Sequence, residues 1–145
     1  MNDDFFYMKR CIELAKIAKA RGDSAVGALI VVNERIIGEG IESGKSQKDI
    51  TFHAEIEAIR HARLYLNSSD LSDCILYSTH EPCIMCSYVL RQHGVKKIVV
   101  GAGSGDIGGY SSSYPLLLDT SISKWRNPPE IITGVLENEC KDLFE

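Results

Sequence analysis

Two short segments, Thr51-Phe-His-Ala-Glu55 and Glu81-Pro-Cys-Ile-Met-Cys86, hold the residues with most chemical capacity. His53, Cys83 and Cys86 supply one imidazole and two thiols. Zinc favours such donors, and a site with three protein ligands keeps a fourth position open for water. Cys83 and Cys86 are one helical turn apart, so both sulfurs reach one ion. Both segments fall where a helix starts, and helix N-termini stabilise the thiolates that zinc needs. Glu55 stands two residues after His53, beside the metal without being a ligand to it. A zinc-bound water has its pKa lowered to ~7. A neighbouring carboxylate can take its proton and pass it to a ring nitrogen and then to a leaving amine. Hydrolytic loss of ammonia from an aromatic amidine carbon needs this equipment. A closed structural metal site would need a fourth protein ligand, and none is apparent. A redox pair at Cys83 and Cys86 would leave His53 and Glu55 without a role.

The elements that must position these groups follow from the apolar pattern. Tyr7, Cys11, Leu14, Ala15 and Ala18 repeat at helical spacing, with Asp3 or Asp4 as cap and Gly22 as a left-handed stop. Residues 26–32 form a strand, and Asn33-Glu34 turns tightly into a second strand over 35–38. Residues 41–51 read as a polar loop. A helix over 53–66 places Ile56, Ile59, Ala62 and Leu66 inward. Residues 74–78 form a third strand, Pro82 begins a helix that runs to about Gln92, and Gly94 ends it. Residues 97–101 form a fourth strand. Residues 101–115 hold five Gly and four Ser and read as a mobile loop. A short helix over 115–118, a fifth strand over 131–135 and a helix over 138–144 complete the chain. The order implies one domain over 1–145, an α/β fold with helices on the faces of one sheet. The third and fourth strands should be parallel with a right-handed crossover.

Composition narrows the classes. The 145 residues are 44% hydrophobic and 25% charged, the mix of a globular protein. No stretch approaches the ~18–20 apolar residues of a membrane span, and the start MNDDFFYMKR is unlike a secretory signal. Five cysteines, an odd count, suggest reduced thiols and a cytoplasmic location. The net charge of −4 disfavours polyanionic partners and leaves small neutral ones open.

His-x-Glu followed by Pro-Cys-x-x-Cys resembles the signature of the zinc-dependent cytidine deaminase superfamily. Residues 53–60 (HAEIEAIR), residues 71–86 (LSDCILYSTHEPCIMC) and the hairpin with VGALIV look like its purine and cytosine branch. That branch includes guanine deaminases, bacterial tRNA adenosine deaminases and fungal cytosine deaminase. The tail IITGVLENEC is similar to the end of the tRNA adenosine deaminases. The resemblance covers nearly all of the chain except residues 101–125. It implies a three-layer α/β/α fold around a five-stranded mixed sheet and a homodimer. It implies Zn2+ held by His53, Cys83 and Cys86, with Glu55 as proton shuttle. It also implies that the amides of Ala54 and Cys83 steady a developing oxyanion and that the Glu81 carbonyl accepts the amine.

Some positions depart from the branch. Glu42 stands where it usually has Asn, and a carboxylate only accepts hydrogen bonds unless protonated. His80 stands before Glu-Pro-Cys, adding a titratable group at the mouth. Glu42 and His80 are read either as substrate contacts or as groups outside the pocket. Tyr110, Tyr114 and Trp125 are read either as a lid stacking on a base, Tyr114 foremost, or as ordinary packing. The tail carries Glu137, Glu139, Asp142 and Glu145 against one Lys, so it is not a phosphate clamp. The expectation is a deaminase of a small aminated heterocycle with an N–H-rich edge, guanine-like or otherwise purine- or pterin-like, with tRNA disfavoured. The alternative is a tRNA adenosine deaminase forming inosine at the wobble position. A third reading is a non-catalytic binding subunit with this fold, against which the intact ligands and Glu55 argue.

Overall fold

A computed structural model describes residues 3–145. Helix α1 (Asp4–Ala20) precedes a hairpin of β1 (Gly27–Val32) and β2 (Arg35–Ile41). Then come α2 (Gly44–Gln47), α3 (Ala54–Leu66), β3 (Ile75–His80), α4 (Ile84–Gln92) and β4 (Lys97–Ala102). Two single turns of 3-10 helix, Gly105–Ile107 and Leu116–Leu118, lead to β5 (Glu130–Ile132) and α5 (Glu137–Asp142). The five strands form one mixed sheet in the order β2-β1-β3-β4-β5. β1 is antiparallel to both its neighbours, and β3, β4 and β5 run parallel.

The layers follow from strand alternation. Ala28, Ile30, Leu76, Ile98 and Val100 face one way and meet Ile59 and Ala62 of α3 and Leu90 of α4. Leu29, Val31, Tyr77 and Val99 face the other way and meet Met8, Cys11 and Leu14 of α1 and Cys140 of α5. Both faces are covered, so the central strands read as continuous apolar runs rather than as alternations. Each fully buried aliphatic side chain contributes about 1.5–3 kcal/mol. No helix among the described residues is long and apolar enough to cross a membrane.

Several turns follow the sequence closely. Asn33 and Glu34 both have positive φ, 49° and 61°, the geometry that a two-residue hairpin needs. Gly22 and Gly94 end α1 and α4 in left-handed conformation. Other segments differ from expectation. β2 runs on to Ile41, and residues 44–47 form a helical turn within the expected loop. Leu66 is exposed, because it lies one turn past Ala62, the last core residue of α3. β5 is shorter than expected and α5 starts one residue earlier. Residues 101–115 are not a free loop, for the reason given below.

Two glycines in β2 set how closely α3 can approach the sheet. A Cβ at Gly38 would lie 2.2 Å from the Ala58 carbonyl oxygen, and one at Gly40 would lie 1.8 Å from that of Ala54. The bare backbone of Gly38 and Gly40 therefore lets the first turns of α3 sit directly on the strand. Gly40→Ala is expected to push the α3 N-terminus outward and to lower stability by about 2–3 kcal/mol. Urea denaturation midpoints check this, with the surface substitution Lys16→Ala as control.

Candidate active site

His53 and Cys83 occupy equivalent places. Each is the cap residue just before a helix, with extended backbone at φ −69°, ψ 150° and φ −74°, ψ −180°. Cys86 lies on the first turn of α4. His53 Nδ1 is 3.5 Å from Cys83 Sγ and 3.4 Å from Cys86 Sγ. Donor atoms of these three residues all lie within 4.8 Å of one another. Zinc bonds of ~2.3 Å to sulfur and ~2.0 Å to nitrogen at a tetrahedral angle separate S from N by about 3.5 Å. The donor set and its spacing therefore fit zinc.

The ionisation of the three groups is coupled. A hydrogen bond from the Cys86 side chain, aided by His53, brings Cys83 down to about 4 against the cost of burial. The bond to Cys83 holds His53 up at about 9, again against burial. Cys86, which shares its proton toward Cys83 and is buried, is pushed well above the ordinary thiol value.

A cavity of about 190 Å³ opens beside this group, lined by Glu42, Glu55, His80, Glu81, Ile107 and Phe144 among others. Glu55 is 3% exposed, and burial raises its carboxyl to about 8. Carboxylate oxygens of Glu42 and Glu55 lie within 4.8 Å of a His53 ring nitrogen. Glu42 is buried, which raises its pKa. Its Oε1 accepts from the Ala54 N–H at 3.1 Å and its Oε2 from the Gly44 N–H at 3.3 Å. The Ala54 amide, expected to face an oxyanion, is thus engaged by Glu42. His80 stacks edge-to-face on Phe144, with ring centroids 5.1 Å apart, and burial lowers its pKa, which keeps it neutral at pH 7.

The structure brings His53, Glu55, Cys83, Glu42, His80 and Glu81 to one cavity. It does not bring Tyr114, which is 64% exposed and outside the lining. Phe144, Ser104 and Ile107 line the cavity without having been singled out in the sequence. An apolar ring near the end of an acidic helix was the only available signal for Phe144. The Glu81 side chain was also missed. It is 1% exposed, and its carboxylate accepts hydrogen bonds from the segment 104–111. Burial opposes its charge, but Ser111, Ser104 and Tyr110 outweigh that and hold its pKa below the usual value.

A sheet covered on both faces, with a His-Cys-Cys group and a buried carboxyl at two helix N-termini, defines a zinc-dependent hydrolytic deaminase. Residues 1–102 match the cytidine and deoxycytidylate deaminase zinc-binding region, and the chain belongs to that family. It is 34% identical over 143 residues to the tRNA-specific adenosine deaminase of Buchnera aphidicola subsp. Schizaphis graminum, covering 99% of this chain and 92% of that one. A solved structure concerned with A-to-I editing by tRNA:A34 deaminases at the wobble position of transfer RNA superposes with a TM-score of 0.88. That match is at 26% identity and covers 95% of this chain and 98% of the other. The guanine deaminase from Bacillus subtilis superposes with a TM-score of 0.68 at 36% identity, covering 73% of this chain and 68% of its own.

These relatives overturn two expectations: a free guanine-like base as substrate, and tRNA as a disfavoured partner. The curated relatives that match over 99% of this chain at 34–36% identity include the tRNA-specific adenosine deaminases of two Buchnera aphidicola strains. Glu42, read as an acceptor for an N–H-rich ring edge, lines the cavity, and each of its oxygens accepts one bond from the chain's own amides. The acidic tail was read as evidence against RNA, but α5 is a packing element whose Cys140 is buried on the sheet.

With no metal bound at pH 7, the site holds one thiolate, one imidazolium and one thiol. Zinc binding must displace the protons of His53 and Cys86. Titration calorimetry at pH 7 in buffers of different ionisation enthalpy is expected to show release of about two protons per zinc. Affinity should rise with pH through neutrality and then less steeply above about 9, where His53 has lost its proton and only that of Cys86 remains to be displaced. Binding with no proton release would contradict the assigned ionisation.

Proposed function

We propose that this chain is a tRNA adenosine deaminase that forms inosine at the wobble position. In this reading His53, Cys83 and Cys86 hold zinc and Glu55 carries protons. The observation that carries the substrate is the near end-to-end match to a tRNA-specific adenosine deaminase. The geometry supports the chemistry. The cavity, about 190 Å³, is smaller than the roughly 300–1,000 Å³ of pockets for drug-sized ligands. It suits one flipped-out base whose flanking nucleotides stay outside.

Bound zinc supplies Lewis-acid activation of water, making a nucleophile available near neutral pH. Burial raises the Glu55 carboxyl to about 8 in the metal-free site, so a proton held there can be delivered to the ring nitrogen next to the attacked carbon. Once it has given up that proton, the same carboxylate can take one from the attacking water and pass it to the amine as it leaves. Burial matched to this task separates Glu55 from Glu81, which lies nearby in the chain's other segment but is held ionised. The net charge of −4 sets no bar to RNA if local cations meet the phosphates. Arg21 donates to the Glu42 carbonyl at 3.3 Å, and Lys45 and Lys48 are in and just after α2, so all three lie on segments adjoining the cavity residues Ser24 and Glu42.

An anticodon stem-loop with adenosine at the wobble position, incubated with the zinc-loaded protein, is expected to yield inosine. Glu55→Ala should retain one zinc per chain and lose roughly 10²–10⁴-fold in turnover. Inosine formation at wild-type rate by that variant would contradict the role of Glu55. Ammonia release from free guanine, with none from the stem-loop, would contradict the substrate.

A further inference from the structure

The carboxylate of Glu81, at the edge of the cavity, is bonded to the segment that follows β4. Its Oε1 accepts from the Ser104 N–H at 3.0 Å and the Ser111 hydroxyl at 2.6 Å. Its Oε2 accepts from the Tyr110 and Ser111 N–H groups, each at 2.9 Å. Two further contacts bring the same segment against the chain next to Glu81. The Gly109 N–H donates to the Pro82 carbonyl at 2.8 Å, and Gly108 forms a β-bridge with Cys83. The fit is close: a Cβ at Gly108 would lie 2.3 Å from Glu81 Oε2. Ser104, one of these anchor points, and Ile107, between them, line the same cavity as His53 and Glu55.

A buried carboxylate is costly unless its lone pairs are filled, and here the partners come almost wholly from one segment. Three of the four donors are backbone amides, which only a fixed acceptor can gather at one point. A Gly- and Ser-rich stretch has little apolar surface with which to order itself. Glu81 supplies that order.

We propose that the Glu81 side chain is a positioning residue for substrate, holding residues 104–111 as the cavity wall that receives the base. This goes beyond the proposed function and rests on it for the identity of the substrate. Glu81 acts through Ser104 and Ile107 and does not serve the metal. Loosening the wall should therefore weaken substrate binding while leaving zinc and the chemical step in place. A glutamine at 81 presents an NH2 to part of a ring of donors and leaves at least one amide without an acceptor.

The test uses the full-length zinc-loaded protein with Glu81→Gln and, approaching from the loop side, Ser111→Ala and Gly108→Ala. Hydrogen exchange of the Ser104, Tyr110 and Ser111 amides, zinc content, and KM and kcat on the anticodon stem-loop are measured for each. In Glu81→Gln and Gly108→Ala the three amides are expected to exchange about tenfold faster or more. KM should rise roughly tenfold, kcat should stay within about threefold, and zinc should remain at one per chain. Ser111→Ala should shift exchange and KM the same way by less. Unchanged exchange would overturn the proposal, as would loss of zinc or a fall in kcat at constant KM. If Glu81→Gln does not fold, the two loop-side variants decide by the same criteria. If the wild-type protein leaves the stem-loop unreacted, the substrate reading fails. Unaltered exchange or lost zinc would then still refute the anchoring role separately.

Discussion

The whole site depends on two helix N-termini converging on one point. His53 and Cys83 each end an extended stretch and begin a helix, so their side chains leave the backbone just where the helical amides are unpaired. Two separate devices produce the convergence. One is the parallel pairing of β3 with β4, which requires α4 to cross over one face of the sheet and start at the end of β3. The other is the close seat of α3 on β2, which only glycine at 38 and 40 permits. A side chain at either place would move His53 and Glu55 together, away from the two sulfurs.

Three carboxyl groups share the dry region around this point, and their surroundings give them different characters. Glu55 has the surroundings least able to support a charge, so in the metal-free site it keeps its proton at neutral pH. Glu42 is partly compensated by the Ala54 and Gly44 amides. Glu81 has four donors and is the most firmly ionised. Placing a proton on one carboxyl and a stable charge on another a short distance away needs no metal-specific device. Burial and the count of donors suffice.

Much of this was legible in the sequence because it rests on side-chain type and spacing. The Asn33-Glu34 turn, the stops at Gly22 and Gly94, the sheet with helices on both faces, and the grouping of His53 with Cys83 and Cys86 all have local signatures. The ordering of residues 101–115 has none. Its donors are main-chain amides, which every residue carries, and its acceptor, Glu81, sits 20 or more residues earlier. Composition alone therefore suggested mobility. The bonds that the Ala54 and Gly44 amides give to Glu42 are hidden for the same reason. Phe144 came to the cavity through the packing of α5 against β4 and α1, a long-range contact with no periodicity to announce it.

The substrate lay further still from what spacing can show. The chemistry of amine loss is set by a few groups within one cavity, whereas the choice between a free base and a nucleotide in RNA is made by the surface around it. Net charge averages over that surface, and the average carries little information about where individual cations such as Arg21 stand. The most direct measurement of the account is X-ray absorption at the zinc edge of the purified protein. It should give two sulfurs at about 2.3 Å, one imidazole nitrogen and one further light atom from solvent. A shell of three or four sulfurs, or one in which a second protein nitrogen or carboxylate fills the last position, would contradict it.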